Sequence, residues 1–144
     1  MSVGIHNKGE ITLDSLLSQL EKNPEIEKTG AVAIFCGRVR GFTHENKKVI
    51  KLEVETFKEE AERVLNKISR DLKKNPGIID VLIHHMKGTF SVGEDMVYVI
   101  VAGKSRKDVF ATLVDAVEKY KHESPIWKKE YLTDGSSYWV SERN

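Results

Sequence analysis

The rhythm of apolar and polar residues changes several times along this 144-residue chain, and each change marks an element. Thr12 suits the cap of a first helix, with Leu13, Leu16, Leu17 and Leu20 at helical spacing, and "KNPE" around Pro24 ends it. "GAVAIFCGRVRG", Gly30 to Gly41, reads as a strand, apolar and β-branched between two glycines. After a polar tip, Val49 to Phe57 is a second strand with Ile50, Leu52 and Val54 on one face; the two are expected to pair as a hairpin with a long loop. From Lys58 to about Lys74 the spacing is helical again, with Ala61, Val64, Leu65, Ile68 and Leu72 in one stripe, and "NPG" stops it. "IIDVLIHHM" is a third strand, "GTFSVGED" supplies a turn, and Met96 to Gly103 has the most buried pattern of all. A third helix covers roughly Arg106 to Glu123, with Phe110, Leu113, Val114 and Val117 expected inward. Beyond Pro125, "IWKKEYL" and "YWV" flank "TDGSS", an Asp-Gly hairpin signal.

This order contains β-α-β-β-α-β, the split arrangement of ferredoxin-like folds. With no repeat, linker or low-complexity segment, the expectation is one α+β domain over residues 1–144. Fold alone does not choose a function.

Composition narrows the choice. Lys plus Arg total 23 against 22 for Asp plus Glu, so a generally nucleic-acid-coating surface is not expected and any basic chemistry must be local. Cys36 is the single cysteine; no intramolecular disulfide is possible, which fits a reducing cytoplasm. No apolar run approaches the ~18 residues that suggest a membrane span. His84 and His85 lie next to each other on a strand, without a cysteine or carboxylate at ligand spacing, so no metal site is expected. No cofactor is expected either. Cys36, Trp127 and Trp139 read as packing residues.

Three stretches gather cations. In "GKSRKDVF", Ser105 and Asp108 resemble a capping box, while Lys104, Arg106 and Lys107 crowd a helix start whose dipole favours anions. A solvated basic turn explains the same pattern equally well. In "GRVRG", Arg38 and Arg40 stand two apart on a strand and project to one side, suiting a phosphate or carboxylate, or else guarding a sheet edge. In "KHESPIWKKE", Lys121 lies in the last helical turn and Pro125 redirects the chain to Lys128 and Lys129, of which one faces a cleft and the other points away. A lysine crowded by cations and partly desolvated has a lowered pKa and is open to acid, base or nucleophilic work; near a helix C-terminus it is also simply stabilising.

Together, and in this order, "GAVAIFCGRVRG", "GTFSVGED", "SRKDVFATLVDAVEKYKHESPIWKKE" and "DGSSYWV" resemble the large, catalytic subunit of molybdopterin synthase over most of Gly30 to Val140. The most specific parts are the Lys-(x3)-Pro-x-Trp-Lys-x-Glu pattern from Lys121 to Glu130 and Gly-x-Val-Arg from Gly37 to Arg40. The resemblance implies an α/β hammerhead fold with an additional antiparallel sheet. It implies sulfur transfer from the C-terminal Gly-Gly thiocarboxylate of a small ubiquitin-like subunit to cyclic pyranopterin monophosphate, forming the molybdopterin dithiolene. It implies Lys121 and Lys128 as the catalytic pair, with Arg38, Val39, Arg40, Ser105, Arg106, Lys129 and Glu130 joining them around the substrate. It also implies a homodimer within a heterotetramer, with pockets that draw on both copies of the large subunit.

Two positions depart from the family pattern. Ser105 stands where a histidine is common before Arg106, and Met86 where an arginine commonly follows His85. Two other readings compete: a non-catalytic ferredoxin-like module binding a small anionic ligand or nucleotide, which leaves Lys121 and Lys128 without a joint role, and an RNA-binding α+β domain, which needs a broader basic surface than this near-neutral chain offers.

Overall fold

A strand as apolar as Met96 to Gly103 has to be covered on both faces and hydrogen-bonded along both edges. In the computed structural model, which describes residues 1–140, it is buried from end to end. The elements run β1 (Val3–Asn7), α1 (Leu13–Leu20), β2 (Ala31–Arg38), β3 (Val49–Thr56), α2 (Lys58–Lys73), β4 (Ile78–Ser91), β5 (Asp95–Gly103), α3 (Arg106–Glu123), β6 (Ile126–Leu132) and β7 (Ser137–Trp139). A 3-10 turn at Ile26–Lys28 joins α1 to β2. The sheet order is β2-β5-β4-β3-β6-β7, each neighbour antiparallel, and β1 pairs parallel to β4. α2 packs on β4 and β1, α3 on β5 and β2, and the two helices touch each other.

This is the expected α+β class, with one change of connectivity. β2 and β3 do not form a hairpin. β2 pairs with β5, Ala31 opposite Gly103 and Cys36 opposite Tyr98, while β3 lies between β4 and β6. The long polar tip therefore carries the chain across the sheet rather than back along the same edge, and β5 gains a partner on each side.

β4 is also longer than the sequence suggests. Its first part pairs with β5 and its last part, Gly88 to Ser91, with β3, so "GTFS" is strand and only the following residues turn. Gly88 makes the passage possible: its φ of 125° lies where side chains are rarely tolerated. Two residues on, Phe90 is fully buried. β1 was not foreseen because "VGIHN" is too short and polar to show a period, yet Val3 and Ile5 are buried against β4.

Two inward faces are also shifted. In β3 an irregularity between Val49 and Lys51 turns Val49 inward and Ile50 outward, while Leu52 and Val54 stay buried as expected. In α3 the buried stripe is Val109, Thr112, Ala116 and Tyr120; Leu113 and Val117 are half-buried, and Phe110 and Val114 are 59% and 61% exposed. Small side chains at 112 and 116 let the helix settle closely on β5 and β2. The α1 cap is as read: the Thr12 hydroxyl accepts from the Ser15 amide, and the Ser15 hydroxyl accepts from the Thr12 amide.

Candidate active site

Three elements bring cations to one pocket. The first is the end of β2. Gly37 faces Val97 so closely that a Cβ there would lie 2.5 Å from a valine methyl, and the register shifts at the next residue. The Val39 amide donates to the Glu94 carbonyl and its carbonyl accepts from the Gly93 amide, clamping a buried Val39 to the β4–β5 turn. The flanking Arg38 and Arg40 are left exposed. Arg38 Nη2 donates to the Gly93 carbonyl at 3.2 Å, and Arg40 Nη1 lies 3.3 Å from His44 Nε2.

The second and third elements meet at Pro125. The Ser124 amide makes the last helical bond, to the Tyr120 carbonyl, and Ser124 itself is already extended. The Thr56 hydroxyl donates to the Pro125 carbonyl and fastens the corner to β3. β6 then runs along β3, with Lys128 opposite Val54 and Glu130 opposite Leu52. Strand alternation sends Lys128 and Glu130 to one face and Trp127 and Lys129 to the other. Lys129 Nζ sits 5.5 Å from the ring centres of both Tyr131 and Trp139, so of the two adjacent lysines it is the one that points away.

The resulting cavity, of about 140 Å³, is lined by Arg38, Val39, Arg40, Lys121, Lys128 and Glu130 over a floor that includes Leu52 and Met96. Lys121 Nζ lies 5.7 Å from the centre of the Phe35 ring on β2. Glu130 is only 3% exposed and its Oε1 accepts from the Tyr138 hydroxyl, whose pKa is pushed up to about 12 by burial and then by that carboxylate. His85 is buried nearby. Its Nδ1 pairs with the Met86 carbonyl at 2.9 Å, and burial first, then the Lys128 charge, lower its pKa to about 3, so the ring is neutral. Cys36 is no thiolate: burial and a hydrogen bond to Asp95 raise its pKa to about 11.

Ser105 and Arg106 are not part of this cavity. They begin α3 while Lys121 ends it, about 22 Å away at ~1.5 Å of rise per residue. Ser105 stands at the cap position without capping; its hydroxyl donates to Asp108 Oδ2 at 3.1 Å instead. Sequence reasoning missed Leu52, Met96 and Tyr138. Tyr138 had a signal, since the Asp-Gly turn sets it opposite Glu130. Leu52 and Met96 looked like any other core residues.

Residues 7–123 match the model of the MoaE protein family. The chain belongs to the MoaE family, the catalytic subunits of molybdopterin synthase. It is 36% identical over 126 residues to the molybdopterin synthase catalytic subunit of a Nostoc species, covering 87% of this chain and 76% of that one. It is also 36% identical over 134 residues to a probable molybdopterin synthase of Haloferax volcanii; that covers 92% of this chain but spans only about half, 51%, of the archaeal protein. The crystal structure of molybdopterin synthase from Staphylococcus aureus superposes with a TM-score of 0.83 at 31% identity, covering 97% of each chain. As a MoaE-family chain it is an enzyme subunit of molybdenum cofactor biosynthesis. Among the described residues no helix is long and apolar enough to cross a membrane.

Proposed function

We propose that this subunit transfers sulfur from the C-terminal thiocarboxylate of a small ubiquitin-like carrier to cyclic pyranopterin monophosphate, building the dithiolene of molybdopterin. One observation carries the reading: Lys121 and Lys128, from a helix end and a strand, share a small pocket with two arginines. Both reactants are anionic, and clustered cations in a partly dry pocket hold anions far better than the same charges in open water. Lys121 receives the thiocarboxylate terminus. Lys128 assists proton transfer or stabilises the negative charge that develops as sulfur adds. Arg38 and Arg40 bind the phosphate, Val39 and Glu130 shape its surroundings, and Lys129, on the outer face, acts at most from the rim.

Ser105 and Arg106 join this scheme through a second copy of the chain. A homodimer that presents the α3 start of one subunit to the pocket of the other supplies the missing arginine, and one carrier then binds per chain, giving a heterotetramer. No resident cofactor, metal, nucleic acid or membrane enters the scheme, and its setting is the cytoplasm. The competing anion-binding module requires the same arginines but no turnover. Mixing the purified chain with a thiocarboxylated carrier and the cyclic monophosphate, then assaying dithiolene, separates them: no product under conditions where both ligands bind would leave only the module.

A further inference from the structure

The arginine-bearing end of β2 leans on a turn more than on its own sheet. β2 is an edge strand, and its pairing with β5 shifts register between Gly37 and Arg38. Beyond that point the β4–β5 turn takes over. Val39 bonds through its amide to the Glu94 carbonyl and through its carbonyl to the Gly93 amide, and Arg38 Nη2 donates to the Gly93 carbonyl. A Val92 methyl lies 3.3 Å from where a Cβ on Gly41 would stand. The turn itself is braced by a residue from the other end of the chain. Lys8, one residue past β1, donates from its ammonium to the Thr89 carbonyl at 3.1 Å and to Glu94 Oε1 at 2.7 Å, with the Phe90 ring centre 5.6 Å away. Its amide also bonds to the Lys87 carbonyl, so its stem is anchored to β4. The same Glu94 oxygen accepts from the Ser91 amide at 2.6 Å. The Lys8 hydrogen bond, and then the one from Ser91, hold the Glu94 carboxyl below its ordinary pKa, so it is charged.

We propose that Lys8 and Glu94 are positioning residues for phosphate binding: together they brace the β4–β5 turn, and the turn aims Arg38 into the pocket. The proposal rests on the phosphate role given above to Arg38 and Arg40. An isolated exposed ion pair contributes little to a fold. This pair differs because Glu94 connects two sides of the molecule, its carboxylate reaching Lys8 and its main-chain carbonyl receiving Val39. Neither Lys8 nor Glu94 lines the cavity, so their influence passes through the turn and not by contact with a ligand. An arginine fork grips phosphate through fixed geometry, and a long side chain is only as well aimed as the backbone that carries it. Here that backbone is a strand end without a regular ladder, which makes the turn, and the ion pair behind it, the part that sets the aim.

Charge and position can be told apart. Lys8→Met removes a positive charge and Glu94→Ala a negative one, so by charge alone the first weakens and the second strengthens the binding of an anion. Positioning makes both weaken it. Each variant is expected to raise the Kd for inorganic phosphate, read by calorimetry, and the KM for the cyclic monophosphate by about threefold to tenfold, with kcat within about twofold. Lys8→Arg, which keeps charged donors, should restore most of the affinity. Lys67→Met, which breaks the exposed Lys67–Asp71 pair on α2, is the control and should change neither constant. In an Arg38→Ala background Lys8→Met should add less than about 1.5-fold, because the arginine it aims is gone. Thermal melts identify any variant that has lost the fold. No phosphate binding by the unaltered chain, unchanged binding in folded Lys8→Met and Glu94→Ala, tighter binding in Glu94→Ala, or a full additional loss beside Arg38→Ala overturns the proposal. Dithiolene formation is scored separately. A chain whose phosphate binding follows this pattern but which makes no product sinks the sulfur-transfer reading and keeps the positioning role; normal turnover with phosphate binding indifferent to both variants sinks the positioning role alone.

Discussion

The ammonium of Lys121 lies 5.7 Å from the centre of the Phe35 ring, so a residue of the edge strand β2 supports a cation from the last turn of α3. Such a contact contributes about 0.5–1 kcal/mol at a partly exposed site and limits where the amine can swing. Phe35→Leu should therefore keep the fold, which thermal melting will show, and lower turnover by about threefold to tenfold. Unchanged turnover in a folded Phe35→Leu variant would mean that Lys121 places itself without the ring.

Lys121→Ala and Lys128→Ala are each expected to cost about 10²-fold or more in single-turnover sulfur transfer, the usual scale for losing a proton-handling or charge-stabilising group. Neither side chain is part of the apolar core, so little stability should be lost. Lys129→Ala is the control and should have a much smaller effect, since its ammonium is held between Tyr131 and Trp139. Near-normal transfer by either of the first two variants removes that lysine from the mechanism.

The proposed sharing of the pocket between two copies has a direct readout. Lys121→Ala and Arg106→Ala should each be poorly active alone, yet a mixture allowed to exchange subunits should regain a clear share of wild-type turnover. One of its pockets then has both residues intact. Activity that stays at the sum of the separate variants would place Arg106 outside the site. Light scattering on the chain alone checks the dimer on which the exchange depends.

Stability should fall with acid before most carboxylates titrate. Burial, helped by His6 and the N-terminal amine, lowers the His84 pKa from 6.5 to about 4; burial and Lys128 lower that of His85 to about 3. Both rings bind protons more weakly folded than unfolded. Their penalty is absent above the unfolded value of 6.5, grows as pH falls below it, and levels off once the folded values are passed. Each contributes a slope of about 1.4 kcal/mol per pH unit near pH 5. Denaturant midpoints between pH 6.5 and 5 should drop accordingly, and His85→Phe should remove about half of the histidine part of the slope. A flat profile in the wild type would mean that neither ring is neutral by burial.

Gly88→Ala should destabilise the protein by about 1–3 kcal/mol, because alanine at a φ of 125° is strained whatever room surrounds it. Calorimetry would register a melting temperature several degrees lower. An unshifted melt would mean that β4 passes from β5 to β3 by another backbone path.

How much of this was legible in the sequence depends on how local the signal was. The Thr12 cap, the α2 stripe and the Asp-Gly turn before β7 are decided within a few residues, and they stand as read. Pairing partners are decided by the whole sheet, so β2 looked like half of a hairpin with β3 until β5 claimed it. In α3, Phe110 and Val114 satisfy helical periodicity as well as Val109 and Ala116 do; only close packing on β5 and β2 chose the smaller residues. The pairing of Lys121 with Lys128 comes from the family resemblance; the local pattern leaves open whether Lys128 or Lys129 faces the cleft, and the pairing of β6 with β3 turns Lys128 to it. Arg106 shares a helix with Lys121, and for that reason it lies far from the pocket within one chain.

The pocket combines a stiff base with loose arms. Val39, Leu52 and Met96 are packed into the core, whereas Arg38 and Arg40 extend into solvent from either side of a clamped residue. Ordering a long side chain costs roughly 0.5–1.5 kcal/mol of conformational entropy. An anion that engages both arginines bears that cost for the two together. A ligand can thus still the two arms without any movement of the backbone beneath them.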